Sequence, residues 1–143
     1  GIGRERLLRA VALADLVTIH QKAGIGCLSA FCGATCAGCG AGAGIAYLLG
    51  GDYQAVAHTI VNALAVVSGM VCDGAKPSCA AKIAAAIDAG ILGYELYCRG
   101  QEFLDGDGIV RKGVDNTIGN VGRMARSGMR ETDRVILDIM CGC

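Results

Sequence analysis

The stretch GMVCDGAKPSC, residues 69–79, sets two cysteines seven positions apart around an aspartate, a glycine, a lysine and the only proline of the chain. Thiolates are soft ligands for iron and zinc. A loop turned by Gly74 and Pro77 would let Cys72 and Cys79 converge on one centre while backbone N–H groups point at it. Cys32 lies forty residues before Cys72. If the two helices between them run antiparallel, the chain returns to the level of Cys32, giving three sulfur ligands and an open fourth position. A structural zinc site would want that fourth ligand, and Cys36-Ala-Gly-Cys39 offers a competing C-x2-C pair with His20 or His58 in reserve. Cys27, Cys36, Cys39 and Cys98 sit in apolar segments and read as buried small hydrophobes. Asp73 and Lys76 are the polar residues nearest the thiols in sequence. Lys76 is placed to meet a substrate carboxylate and Asp73 to accept backbone N–H bonds that fix the turn; a solvated lysine and an ordinary turn aspartate are the alternative. The end of the chain, DIMCGC, carries Cys141 and Cys143 about a flexible Gly142. Either thiol could serve as a displaceable fourth ligand, or both could belong to a frayed tail.

The elements that must position these residues read as helical throughout. Leu8, Ala12, Leu16 and Ile19 recur at helical spacing and predict one apolar face on a helix from about Arg4 to Lys22. A second helix is expected over much of 27–49, ending at Gly50-Gly51. Asp52 is placed to cap a third that runs to about Val71. Pro77 suits the first turn of a fourth helix through Cys98. Residues 100–116 read as a loop with a short extended piece at Ile109-Val110 and a turn at Asp105-Gly-Asp107-Gly, and shorter helices follow at 116–127 and 132–140. Arg123 and Arg126 are expected to face solvent or a neighbouring domain, and His58 to be a hydrogen-bonded core histidine. The fold class is therefore all-α: a compact bundle of about five to six helices forming a single domain over 1–143, with tightly packed Gly/Ala-rich helices at its centre.

Composition narrows the function. Thirteen Lys and Arg balance thirteen Asp and Glu, and aromatic residues make up only 4% of the 143, so neither a phosphate-binding stripe nor a base-stacking platform stands out and nucleic acid is not an expected partner. Nine cysteines within Ala-, Val-, Ile- and Leu-rich segments suit reduced thiols in a cytoplasmic setting better than a secreted disulfide scaffold. No signal peptide is visible at the N-terminus, and the missing initiator Met suggests a piece of a longer chain. Residues 23–51 carry no charge, yet Gly, Ala, Cys, Ser and Thr dominate them and no basic or aromatic anchors mark their ends, so a buried helix is expected rather than a membrane span. GCGAGAGIAYLLG lacks the spacing of a phosphate-binding glycine loop, which leaves close backbone approach as the reason for its glycines. The mean hydropathy of +0.49 predicts a broad apolar face that is exposed or covered by a partner.

IGCLSAFCGATCAGCGAGAGIAYLLGG, GMVCDGAKPSCAAKIAAAIDAG and GNVGRMARSGMRETDRVILDIM, in that order and separation, resemble the C-terminal part of the serine dehydratase alpha-chain-like family, in the branch that includes L-cysteine desulfidase. The likeness extends over essentially the whole chain. It implies an oxygen-sensitive 4Fe–4S cluster held by Cys32, Cys72 and Cys79, with one iron free of protein ligands to draw electron density from a leaving group while a base takes the α-proton. Elimination from L-cysteine or L-serine then gives aminoacrylate, which hydrolyses to pyruvate and ammonia, with sulfide or water lost and no pyridoxal phosphate required. The branch tilts the substrate to L-cysteine. The resemblance further implies that the family's substrate loop and N-terminal catalytic residues lie upstream of Gly1, on the same enzyme or a partner chain, and that the assembly is a homo-oligomer. The alternative is a zinc- or cluster-binding structural subunit that completes a partner chain without catalysis of its own.

Overall fold

The computed structural model describes residues 1–142. Among them are six α-helices, α1 (Arg4–Ile25), α2 (Gly33–Leu48), α3 (Tyr53–Val67), α4 (Ser78–Cys98), α5 (Val114–Arg123) and α6 (Arg130–Cys141), with a π-helical turn at Met124–Gly128 after α5. The expected all-α bundle is what forms. Extended pairing among the described residues is limited to one antiparallel bridge, Phe31 with Val71.

The uncharged α2 is the central helix, packed between α1 and α4 and also against α3. Its glycines do what close packing requires. A Cβ on Gly38 would lie 2.3 Å from the carbonyl oxygen of Ala86 on α4, and one on Gly90 would lie 2.5 Å from the carbonyl oxygen of Gly38. On the other side, a Cβ on Gly40 would meet Thr18 Oγ1 at 2.2 Å and the Ala14 carbonyl oxygen at 2.4 Å. Both neighbours therefore approach α2 backbone to backbone, and only small residues fit at the contacts.

That geometry overturns the expected orientation of α1. The helix buries Ala10, Gln21 and Ile25, while Leu8, Leu16 and Ile19 are 59%, 64% and 62% exposed. The glycine ridge of α2 selects the Ala10–Ala14–Thr18 side of α1, and the stripe of large residues turns outward.

The connections differ from expectation for one shared reason. α2 begins at Gly33 rather than near Cys27, and α3 stops at Val67 rather than Val71, because residues 30–32 and 70–72 pair with each other: Cys32 N–H donates to Met70 O at 3.0 Å and Cys72 N–H to Ala30 O at 2.6 Å. Asp52 caps α3 as expected, its Oδ1 accepting from Ala55 N–H at 3.0 Å. Pro77 immediately precedes α4. Ile109-Val110 forms no strand; Val110 is buried within a turn-rich loop in which Asp107 accepts from Leu104 N–H and Asp105 from Lys112 N–H. α5 and α6 each begin about two residues earlier than the sequence suggests. Ile25, Phe31, Cys36, Cys39, Leu64, Ile118 and Val121 are part of the core. Asn62, fully buried beside it, donates to Gly93 O and Gln101 O and accepts from Phe103 N–H, tying α3 to the end of α4. No helix among the described residues is long and apolar enough to cross a membrane.

Candidate metal centre

The Phe31–Val71 bridge decides where two of the thiols sit. Its hydrogen bonds flank the pair, so Phe31 and Val71 share one face of the ribbon, and Cys32 and Cys72 fall together on the other. As diagonal neighbours they stand roughly 7–8 Å apart at the backbone, wider than a disulfide spans. Cys32 is also the N-cap residue of α2, and Cys79 lies in the first turn of α4. Helix N-termini carry free N–H groups and the positive dipole end, which suit an anionic ligand. Cys79 Sγ lies 3.5 Å from Gly74 O, which fastens it to the loop that begins at Cys72, and Gly74 takes the positive φ of 90° that the turn needs.

Among the described residues, no three His, Cys, Asp or Glu side chains gather around one point as a single metal ion would require. Zinc–sulfur bonds are about 2.3 Å, so zinc ligands must crowd together. A four-iron cluster is several times wider and takes thiolates that stand apart. Sulfur is the donor such a cluster takes, and Cys32, Cys72 and Cys79 are the thiols that the two helix N-termini and the loop offer.

The polar groups beside the thiols are arranged differently from expectation. Asp73 accepts from Lys76 and, at 2.5 Å, from Lys82 Nζ, rather than fixing the turn through backbone N–H groups; Lys82 donates also to Val71 O at 2.8 Å. The reason is directional: side chains on a helix lean toward its N-terminus, so a lysine in the second turn of α4 reaches back over the loop. Lys82 went unnoticed in the sequence, although its spacing of three from Cys79 on a helix was a usable signal. Lys76 is the more exposed of the pair, at 40% against 22% for Lys82.

The competing ligand sets do not assemble. Cys36 and Cys39 are buried as expected, and burial pushes the Cys36 thiol up to about 11 and Cys39 higher still, so neither offers a thiolate near neutrality. His20 Nε2 lies 2.9 Å from Asp115 Oδ1, between α1 and α5. His58 is half-buried, stacked on Tyr97, with Nδ1 3.2 Å from Glu102 but off the line of a hydrogen bond. Cys27 and Cys98 are exposed, contrary to expectation, because one follows the glycine that ends α1 and the other is the last residue of α4. Arg126 is exposed, as expected, and donates to Ala23 O at 2.9 Å, where a cation meets the C-terminal end of α1.

Cys141 is exposed at the end of α6, and Cys143 lies outside the described residues. The preceding Met140 reaches the cysteine loop: a Cβ on Gly74 would lie 3.0 Å from its Cε. Clefts of about 580, 520 and 410 Å3 are lined largely by the 100–114 loop, the N-terminal half of α3 and the π turn, and none of the described cysteines borders them.

Comparison with known proteins gives a consistent result. The serine dehydratase alpha chain family matches residues 1–138. The chain is 65% identical over 138 residues to a UPF0597 protein of Desulfitobacterium hafniense, covering 96% of this chain and 32% of that protein. It is 54% identical to a UPF0597 protein of Lachnoclostridium phytofermentans (95% and 33% covered) and 50% identical to one of Treponema denticola (97% and 32%). The chain thus spans about a third of the length of the curated relatives it matches. No solved structure matches it.

Proposed function

The chain belongs to the serine dehydratase alpha chain family, and from that premise we propose that it is the cluster-holding part of an iron–sulfur lyase acting by β-elimination on L-cysteine, or on L-serine. The observation that carries the reading is the bridge that sets Cys32 and Cys72 on one face, with Cys79 fastened to the loop that follows Cys72. Cys32, Cys72 and Cys79 are the ligands in this reading. Bound there, a 4Fe–4S cluster with one iron free of protein ligands supplies Lewis acidity to the departing thiol or hydroxyl group, without pyridoxal phosphate.

The chain's own residues supply charge and placement. Cys32 and Cys79 sit at the N-termini of α2 and α4, whose free N–H groups and positive dipole ends would favour the negative charge of a bound cluster. Lys76, with Asp73 as its counter-ion, presents a cation beside the thiols to which the carboxylate of an amino acid can bind, and Lys82 ties Asp73 to the Val71 carbonyl. The base that takes the α-proton is assigned to the two thirds of the family's length outside this chain, in the same protein or a partner, within an oligomer. An oxygen-sensitive cluster and reduced thiols suit a cytoplasmic enzyme. Met140 against Gly74 brings the end of α6 to the cysteine loop, which favours Cys141 and Cys143 as the source of a displaceable fourth ligand.

Anaerobic reconstitution with ferrous iron and sulfide tests the reading. Iron and sulfide should be retained in equal amounts with broad visible absorption, which Cys32→Ala, Cys72→Ala and Cys79→Ala each abolish and Cys36→Ala leaves. A colourless protein with one zinc, or a cluster that survives Cys32→Ala and is lost with Cys36→Ala, refutes it.

A further inference from the structure

Two helices of the bundle, α1 and α4, are packed inside out. A domain that folds for life in water places large aliphatic side chains at its helix contacts and small or polar ones outside. Here α1 meets α2 through Ala10, Ala14 and Thr18, while Leu8, Ala12, Leu16 and Ile19 form a continuous outward stripe. α4 repeats the pattern, burying Ala86, Ala89, Gly90 and Gly93 and leaving Ile83 and Ile91 exposed.

Rotation of α1 cannot relieve this exposure. With the Gly40 position already 2.2 Å from Thr18 Oγ1 and 2.4 Å from Ala14 O once a single Cβ is considered, no leucine can be turned into the contact. Arg126 on Ala23 O and His20 on Asp115 pin the same helix to the π turn and to α5. The stripe is therefore held outward by the fold, at a spacing of i, i+4, i+8, i+11 that a second helix can lie along. Its border carries the Glu5–Arg9 ion pair, the polar rim usual around an apolar contact. The relatives carry about twice as much chain again beyond the part matched here, since the match covers 32–33% of their length.

We propose that the Leu8–Ala12–Leu16–Ile19 face of α1 is the docking surface for polypeptide from the remaining two thirds of the family fold, which lays an amphipathic helix along it. The inference rests on family membership and on the packing of α1, and it needs no cluster.

The test mixes the chain, without iron, with the other two thirds of the 65% identical Desulfitobacterium hafniense relative expressed as a separate polypeptide. Association is followed by sizing with light scattering and by titration. A one-to-one complex is expected, weakened at least 100-fold by Leu16→Glu with Ile19→Glu and independently by Leu8→Glu, and unchanged by Gln101→Glu, which adds the same charge at an exposed polar site. Circular dichroism identical to the parent chain shows that the variants are folded. The proposal is overturned if no complex forms, if the α1 variants bind as well as the parent, or if the parent pairs with itself through α1 and the variants are monomers. Failure to take up iron, with association intact, would count against the lyase reading alone.

Discussion

Substituting Gly38 with alanine is the most direct probe of the backbone contact between α2, which begins after Cys32, and α4, which carries Cys79 in its first turn. The new Cβ would lie 2.3 Å from Ala86 O, 2.4 Å from Ala86 C and 2.6 Å from Ala86 Cβ. All three atoms belong to a helix that cannot swing away as a side-chain tip could, so α2 and α4 must separate by about 1 Å or more. Overpacking of this kind costs about 1–3 kcal/mol, and contact with three rigid atoms places Gly38→Ala at the upper end. The gain in helix propensity offsets about 0.8–1 kcal/mol of that. A net loss of about 2 kcal/mol remains, and for a chain of this size each kcal/mol moves Tm by roughly 3 °C. Thermal unfolding followed by circular dichroism should thus show a fall of about 6 °C, together with reduced iron and sulfide after anaerobic reconstitution. Gly119→Ala is the control, because a Cβ there meets nothing within 4 Å on α5; it should stabilise by about 0.4–1 kcal/mol. If Gly38→Ala behaves like Gly119→Ala, the helices are not in backbone contact and the reasoning fails.

The polar rim and the buried thiols give further checks. Lys82→Met should destabilise the chain by about 1 kcal/mol in urea unfolding, more at low salt than at high, and Lys76→Met by less, since Lys76 is the more exposed of Asp73's partners; equal effects would remove the special place given to Lys82. Cys36 has a folded pKa of about 11 against an ordinary 9, so its contribution, about 2–3 kcal/mol, is fully present below pH 9 and lost as pH rises from 9 to 11. Cys36→Ala should flatten that alkaline loss. Native alkylation at pH 8 should modify Cys27, Cys98 and Cys141 within the time in which Cys36 and Cys39 stay unmodified, and rapid labelling of Cys39 would contradict its burial. In the complete enzyme, removing residues 141–143 should speed oxidative loss of the cluster and lower the apparent KM; if neither changes, the tail is not a ligand.

The helices were legible because Gly50-Gly51, Asp52 and Pro77 punctuate the chain where backbone chemistry demands it. The close approach of α2 to its neighbours was legible from its glycines. What a single helix does not reveal is which of its sides a neighbour will accept. Leu8, Leu16 and Ile19 announce that one face of α1 is made for burial, yet Gly40 and Gly44 on another helix decide that this chain buries the opposite side. The boundaries at Cys27–Cys32 and Ser68–Val71 escaped for a related reason: apolar composition there reads as helix, and the pairing that overrides it joins residues forty positions apart. That same long-range pairing gives the cysteine site its order. It makes Cys32 a helix cap and Cys72 its diagonal neighbour, while Cys36, only four residues further along α2, falls in the core with its thiol driven toward the neutral form. Two buried cysteines one helical turn apart thus differ in setting: Cys32 lies where the helix begins, on the paired ribbon that carries Cys72, and Cys36 is packed between helices.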